Sequence, residues 1–224
     1  MRKWRQIRQQ GTKVPVILAS TFFVENCLMI RLFVLCVACG IVAVSAAPAT
    51  PLTGQKKSFD SGVKKIEGSF SPTEAKPGQT ITFSITIELN EGYHTYPTVQ
   101  KDKGAEPFVN SFKFPTPGIV IFVGAVHDPV DVKTKFEKDF KCDLQYCEGK
   151  VVYTHKAVVS PKAAVGAVTV KVPSYNINIC DDMNCFPSPK KAPIIEATLN
   201  VLDGPAVPVE KDFAEEVKKA LGEK

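Results

Sequence analysis

Alternation of apolar and polar residues is the clearest signal along the 224-residue chain. In residues 80–89, TITFSITIEL, apolar side chains occupy every second position, with Thr, Ser and Glu between them. A period of two places one face of a β-strand against a core and the other against solvent. The preceding KPGQ favours a turn. The sequence therefore predicts a half-buried strand over residues 80–89.

Further short runs of β-branched and apolar residues follow, separated by prolines. These predicted strands cover residues 118–126, 150–159, 167–172 and 194–201. Only the tail, residues 208–224, has apolar residues recurring every four positions, which indicates a terminal helix or a frayed end. Many short strands with regular turn signals predict an all-β fold, an immunoglobulin-like antiparallel β-sandwich with a short C-terminal helix.

The N-terminal region has the pattern of an export signal. Arg31 precedes the apolar run LFVLCVACGIVAVSAA, which ends in Val44-Ser45-Ala46, an A-x-A-like cleavage site. About 15 apolar residues are too few for a membrane span of roughly 20 residues. We therefore interpret residues 1–46 as a leader, and Met29 is an alternative start of the chain. An uncleaved N-terminal anchor is the alternative.

The remaining chain divides by composition into three parts. Residues 47–66 are rich in small and polar residues and are interpreted as a flexible linker, residues 67–202 as the β-sandwich, and residues 203–224 as a helical tail. Of the 28 basic and 23 acidic residues, six and one lie in the leader, which leaves 22 of each. A neutral body does not favour nucleic-acid binding. We expect a periplasmic or secreted protein without a membrane span after signal cleavage.

Cysteine usage points to disulfide chemistry. Three of the seven cysteines lie in the leader, and four remain: Cys142, Cys147, Cys180 and Cys185. Four cysteines allow three pairings, and export to an oxidising compartment favours disulfides. The two C-x4-C spacings make local pairing within each motif the simplest hypothesis, and they fit only the edge of the range for zinc ligands. No metal or organic cofactor is expected.

The segment NICDDMNCFPSP, residues 178–189, leaves two roles open. A bond between Cys180 and Cys185 would close a loop of six residues, which stabilises by about 2 kcal/mol, against about 4.7 kcal/mol for a loop of about 100 residues. A short loop beside a turn is also accessible to a partner thiolate. Asp181 and Asp182 disfavour a thiolate. From these residues alone, a structural and a redox disulfide are equally compatible with the sequence.

Two stretches resemble a known family. GAVTVKVPSYNINICDDMNCFPSPKKAPI, beginning at Gly166, is similar to the last third of the N-terminal periplasmic domain of DsbD, the thiol:disulfide interchange protein. FSPTEAKPGQTITFSITIELNEGYHTYP, residues 70–97, resembles the early strand of that domain and its Gly-Tyr-x-x-Tyr turn. The resemblance covers about residues 66–202.

The resemblance implies a function as well as a fold. It implies a sandwich whose disulfide exchanges electrons between a thioredoxin-like protein or membrane electron carrier and periplasmic thiol-disulfide proteins. Cys185 would form the mixed disulfide and Cys180 would resolve it. The carrier and a thioredoxin-like domain do not follow in this sequence, so a separate protein is the expected donor. The alternative is a non-catalytic binding module whose disulfides brace its loops.

The resemblance also implies which side chains surround the disulfide. His94 and Tyr96 would line it from the tyrosine turn, and Phe186 would follow the second cysteine. A cap loop would map to residues 143–150, with Tyr146 as a shield.

The sequence departs from the family at its cysteines. The spacing between Cys180 and Cys185 is one residue shorter than in the family, and the cap region carries its own pair, Cys142 and Cys147. That pair could be a second redox couple, a staple of the cap, or partners for the first two. A local disulfide that stiffens the cap is the favoured hypothesis.

Overall fold

The computed structural model describes residues 56–223, so the predicted leader and residues 47–55 of the predicted linker lie outside the described residues. Within that range the chain forms short strands joined by turns. The strands are β1 (Val63–Ser71), β2 (Glu74–Ala75), β3 (Thr80–Leu89), β4 (His94–Thr95), β5 (Ser111–Lys113), β6 (Val120–His127), β7 (Lys133–Glu137), β8 (Cys142–Glu148), β9 (Lys150–Val159), β10 (Gly166–Val172), β11 (Ser174–Asn176), β12 (Asn178–Cys180), β13 (Cys185–Pro187) and β14 (Ile195–Val201).

Helical structure is confined to short segments at the two ends of the described chain and one turn between them. These are α1 (Phe59–Gly62), α2 (Ala214–Ala220) and 3-10 turns at Lys103–Ala105 and Lys211–Phe213. Both α1 and the start of β1 lie inside residues 47–66, the range interpreted as a linker. The signal missed there was weak, because β1 has two lysines directly after its first residue and contains a glycine. No helix of residues 56–223 is long and apolar enough to cross a membrane.

The strands form four sheets in the described part of the chain. Their orders are β1–β3–β9–β6, β10–β14–β2, β11–β5 and β13–β12–β4–β8–β7. Pairing is antiparallel except between β14 and β2. The predicted fold class, an all-β immunoglobulin-like antiparallel sandwich with a short C-terminal helix, is confirmed.

The main core lies between the first two sheets. The alternation in residues 80–89 appears as the prediction required, with Ile81, Phe83, Ile85, Ile87 and Leu89 all buried. They pack with apolar side chains of β9, β10, β14 and β12 in one continuous cluster. Burying side chains of this size contributes about 1.5–3 kcal/mol each. Ile179 of β12 belongs to this core, so the core supports the strand that carries Cys180.

The C-terminal tail packs on the outer face of the first sheet. Val217 of α2 is buried with Ile121, Val123 and Val158, and Val209, Phe213 and Leu221 pack around them. The four-residue recurrence of apolar positions therefore faces β6 and β9, as expected for an amphipathic helix. The tail therefore covers part of the first sheet.

Candidate functional site: the disulfide hairpin

The chemistry-bearing cysteines lie opposite each other on one hairpin. Strands β12 and β13 pair so that Cys180 faces Cys185, and a disulfide joins them with a Cα–Cα distance of 4.0 Å. Residues 181–184 form the connecting turn. The local pairing predicted for this motif is present in the structure.

Asp181 shapes the turn that brings the two cysteines together. Its carboxylate accepts hydrogen bonds from the backbone N–H groups of Met183 (2.8 Å) and Asn184 (2.7 Å), and its own N–H donates to the Asn184 carbonyl at 2.9 Å. An aspartate that accepts from the backbone two residues further on is a common turn former. Asp181 therefore has a structural reason to stand next to a cysteine.

The two sulfur-bearing residues differ in exposure. Cys180 is 1% exposed, at the base of a small cluster that contains Tyr96 and Leu144. Cys185 is exposed to solvent. Cys185 is therefore the more accessible of the two cysteines.

Tyr96 of the tyrosine turn contacts the disulfide, and His94 lies beside it. The Tyr96 hydroxyl lies 3.2 Å from Cys180 Sγ, to which it donates, and 3.6 Å from Cys185 Sγ. The same hydroxyl is 3.3 Å from His94 Nε2. His94 is itself opposite Cys180 in the pairing of β4 with β12.

Burial keeps both of these side chains uncharged at neutral pH. It raises the pKa of Tyr96 to about 12. Burial, with a smaller effect of the nearby Lys135 ammonium, lowers the pKa of His94 below its usual value. A neutral phenol beside a neutral imidazole can donate a hydrogen bond to sulfur without adding charge.

The segment before the sandwich is attached to the same hairpin. Lys57 Nζ lies 2.8 Å from Asp181 Oδ2. Gly62 packs so closely on β12 that a Cβ there would clash with Ile179 and Tyr93. The Lys57 hydrogen bond, with those from the Met183 and Asn184 N–H groups, lowers the pKa of Asp181 to about 2.

These contacts give the turn a definite acid dependence. Because the pKa of Asp181 is lowered on folding, its stabilising effect is complete above its unfolded pKa of about 4 and is lost as the pH falls towards 2. The Asp181 carboxyl ¹³C resonance is expected to titrate with a midpoint near 2, and Lys57→Met should raise that midpoint. A midpoint near 4 in the unsubstituted protein would contradict these contacts.

A cleft of about 280 Å³ opens beside the disulfide. Phe108 and Phe140 form its apolar wall, with ring centroids 4.8 Å apart, and Phe140 is 55% exposed at the tip of the β7–β8 hairpin. Met183, 85% exposed, also borders the cleft. Sequence reasoning missed all three. The available signal was an aromatic residue in the charged stretch EKDFK, where a solvated turn would not need one.

The other two predicted lining residues lie farther from the sulfurs. Tyr146 packs on the His94 ring, with centroids 5.5 Å apart, and contacts the disulfide region through that ring. Phe186 packs against the main core, because successive residues of β13 point to opposite faces. Neither side chain borders the cleft.

The favoured disulfide between Cys142 and Cys147 is wrong, since both are free and buried thiols. They lie five residues apart on β8. An extended strand separates such Cα atoms by roughly 16 Å, whereas a disulfide needs about 4.4–6.8 Å. Their side chains also point to opposite faces, Cys142 into the small cluster with Cys180 and Cys147 into the main core. Burial raises the pKa of both thiols, that of Cys147 to about 11.

Asn110 joins the strands that carry the site, and nothing in the sequence pattern singled it out. Its amide nitrogen lies 2.7 Å from Thr95 Oγ1, 2.8 Å from the Tyr96 carbonyl and 2.8 Å from the Tyr153 hydroxyl. Its amide oxygen accepts from the Asn178 N–H at 2.9 Å. This 1% exposed side chain thus fixes Tyr96 relative to β12.

Among residues 56–223, no group of three or more His, Cys, Asp or Glu side chains is arranged to hold a metal ion. The chemical groups gathered at the hairpin are two cysteine sulfurs, a phenol and an imidazole. That set can carry out thiol–disulfide exchange by attack of an external thiolate on the sulfur of Cys185, the exposed cysteine.

No family model and no curated protein matches the sequence. Solved structures give distant matches. The N-terminal periplasmic domain of ScsB from Proteus mirabilis matches with 11% identity and a TM-score of 0.32, over 67% of this chain and 51% of that one. The seventh ScaB type I cohesin from Pseudobacteroides cellulosolvens matches with 9% identity and a TM-score of 0.33, over 65% and 93%. The chain thus spans about half the length of the ScsB structure.

Proposed function

We propose that this protein is an exported thiol–disulfide exchange protein that passes electrons between a thioredoxin-like donor and extracytoplasmic partners through Cys180 and Cys185. The observation that carries the proposal is the asymmetry of the disulfide. One sulfur belongs to an exposed residue at the edge of a cleft, and the other is buried against a hydrogen-bonded phenol. A disulfide that served only to hold the hairpin would need neither an exposed cysteine at a cleft nor a hydrogen-bond donor to the buried sulfur.

Reduction begins at the exposed sulfur. A donor thiolate attacks Cys185 Sγ, the bond to Cys180 breaks, and a mixed disulfide forms between the donor and Cys185. The electron pair of the broken bond stays on Cys180 Sγ. The second thiolate of the donor then attacks its own sulfur in the mixed disulfide and releases Cys185 as a thiolate. The donor leaves as a disulfide, and both cysteines of the hairpin are reduced.

Electron delivery runs through the same sulfur. The Cys185 thiolate attacks a target disulfide and forms a new mixed disulfide, releasing one target thiolate. Cys180 then attacks Cys185 Sγ, which frees the second target thiolate and restores the hairpin disulfide. These roles agree with the order implied by the resemblance to the DsbD N-terminal domain.

Phe140 is the side chain we assign to shielding the disulfide, in place of Tyr146. It borders the cleft beside both cysteines, and it rests on Phe108 at the tip of a hairpin that only one neighbouring strand, β4, joins to the rest of its sheet. A shield at a hairpin tip can move aside when a partner docks. Tyr146 would instead support the His94 ring from behind.

The compartment and partners follow from the leader and the chemistry. A cleaved export signal over residues 1–46 would deliver the protein to the periplasm or the exterior, where disulfides persist. The donor would be a thioredoxin-like protein or a membrane electron carrier. The acceptors would be periplasmic thiol-disulfide proteins.

The proposal is tested by redox cycling of the native protein with a thioredoxin-like protein. Reduced donor is expected to open the hairpin disulfide, so that Cys180 and Cys185 become alkylated together when the protein is quenched and unfolded. Addition of a disulfide-bonded substrate should restore the bond. Alkylation before unfolding is the internal control, because Cys142 and Cys147 are buried and should stay unlabelled. A 180–185 bond that survives excess donor would instead favour the non-catalytic binding module.

A further inference from the structure

A single hydroxyl group bridges the disulfide and the histidine of the site. The Tyr96 hydroxyl is 3.2 Å from Cys180 Sγ, and within residues 56–223 Tyr96 is the side chain that donates to this sulfur. Its distance to Cys185 Sγ is longer, 3.6 Å. A disulfide sulfur has no proton to give, so the phenol must be the donor in these contacts.

His94 determines where that hydroxyl can point. A phenol has one proton, and Tyr96 cannot donate it to His94 Nε2 and to sulfur at once. When it donates to Cys180, the contact of 3.3 Å with His94 requires the imidazole to carry its proton on Nε2 and to donate to the phenol oxygen. The two rings meet edge to face, with centroids 5.5 Å apart, and Tyr146 packs on the other side of His94.

We propose that Tyr96 is a catalytic hydrogen-bond donor that makes Cys180 the leaving and resolving sulfur, and that His94 is a positioning residue that holds the Tyr96 hydroxyl towards it. This inference rests on the proposed function. It explains why the electron pair of the broken bond is left on Cys180 rather than on Cys185.

The surroundings of Cys180 make such a donor necessary. When a thiolate attacks Cys185 Sγ, the sulfur–sulfur bond breaks and its electron pair becomes a thiolate on Cys180. That residue is 1% exposed, so water cannot solvate the new charge. The next residue along the chain, Asp181, carries a carboxylate that is paired with Lys57. Tyr96 supplies a neutral donor at the place where the charge develops, as donors in an oxyanion hole do.

The same contact serves the return step. After delivery of electrons to a target, the Cys180 thiolate must attack Cys185 Sγ in the mixed disulfide. A lower Cys180 pKa leaves more of this thiol ionised near neutral pH, and it makes Cys180 a better leaving group in the reverse direction. Tyr96 itself stays protonated, because its own pKa is raised by burial.

The first test removes the hydroxyl while keeping the ring. In reduced Tyr96→Phe, the Cys180 pKa, read from its ¹³Cβ resonance, is expected to rise by about one unit, the size of one charge-assisted hydrogen bond. Reduction of the oxidised variant by dithiothreitol should slow several-fold. Tyr175→Phe is the matched control, since that hydroxyl donates to the Pro193 carbonyl outside the site. It should match the unsubstituted protein in both measurements.

The second test asks whether His94 acts through its N–H donor or only through the space that its ring fills. His94→Gln keeps an N–H donor and is expected to leave the Cys180 pKa near that of the unsubstituted protein. His94→Leu removes the donor and should raise the Cys180 pKa part of the way towards the Tyr96→Phe value. Equal effects of the two variants would overturn the positioning role.

A third measurement needs no substitution and applies even if a variant fails to fold. In the reduced protein, the Tyr96 ¹³Cζ resonance is expected to move at the pH where Cys180 ionises. A static Tyr96 resonance, or an unchanged Cys180 pKa in folded Tyr96→Phe, overturns the inference while exchange at the hairpin continues. Absence of exchange in the unsubstituted protein would instead overturn the proposed function, so the two failures are distinguishable.

Discussion

Replacing Cys185 with alanine is expected to abolish exchange, whereas replacing Cys180 should arrest it halfway. In Cys185→Ala the remaining hairpin cysteine is Cys180, which is 1% exposed in the oxidised protein, so a partner thiolate or disulfide is not expected to reach its sulfur. In Cys180→Ala the exposed Cys185 can still attack a partner disulfide, but no neighbouring thiol is left to resolve the product. Mass spectrometry after incubation with an oxidised thioredoxin-like protein should therefore find a stable mixed disulfide at Cys185 in Cys180→Ala and none in Cys185→Ala.

Cys142→Ala is the matched control for the cysteine variants. It removes a buried thiol from the same small cluster without touching the hairpin bond, and exchange should continue. Equal trapping by the two hairpin variants, or trapping through Cys180 alone, would contradict the assignment of Cys185 as the sulfur that meets partners.

Asn110→Ala is expected to lower the free energy of unfolding by about 3 kcal/mol. The substitution removes the shared partner of Thr95, Tyr153 and the Asn178 N–H, and a buried polar group that loses its partner costs about 1–3 kcal/mol. Part of the loss is offset because Thr95 also donates to the Asn178 carbonyl and Tyr153 to the Tyr96 carbonyl. Denaturant unfolding of the oxidised protein measures the change.

An exposed asparagine provides the control for this stability measurement. Asn200 makes one side-chain hydrogen bond, to Glu74 at the surface, so Asn200→Ala should change the free energy of unfolding by no more than about 0.5 kcal/mol. A cost below about 1 kcal/mol for Asn110→Ala would show that the buried network does not hold β4, β9 and β12 together.

The sequence was most informative where one physical rule decides the structure. Strand β3 matches the predicted residues 80–89, and β9 matches residues 150–159. In β3 the apolar and polar residues alternate strictly. A shift of the strand by one residue would turn the apolar side chains to solvent, so the register is determined. The bond between Cys180 and Cys185 agrees with the local pairing that the C-x4-C spacing suggested.

Prediction failed where the answer depends on which strands meet. Cys142 and Cys147 have the same spacing as the hairpin pair, yet they lie on one continuous strand instead of across a turn. The same limit applies to Phe140, which borders the cleft at the disulfide from a different hairpin. Asn110 acts through three strands that only the tertiary structure brings together. None of these contacts leaves a periodic signal in the sequence.

The central claim is that the Cys180–Cys185 bond exchanges under the conditions of its compartment, and its reduction potential tests this most directly. The native protein would be equilibrated in dithiothreitol redox buffers, and the hairpin thiols quantified by alkylation and mass spectrometry. A potential above about −300 mV, within reach of thioredoxin-like donors, is the expected result. A potential below about −300 mV would mark a structural bond that resists exchange and would contradict the claim.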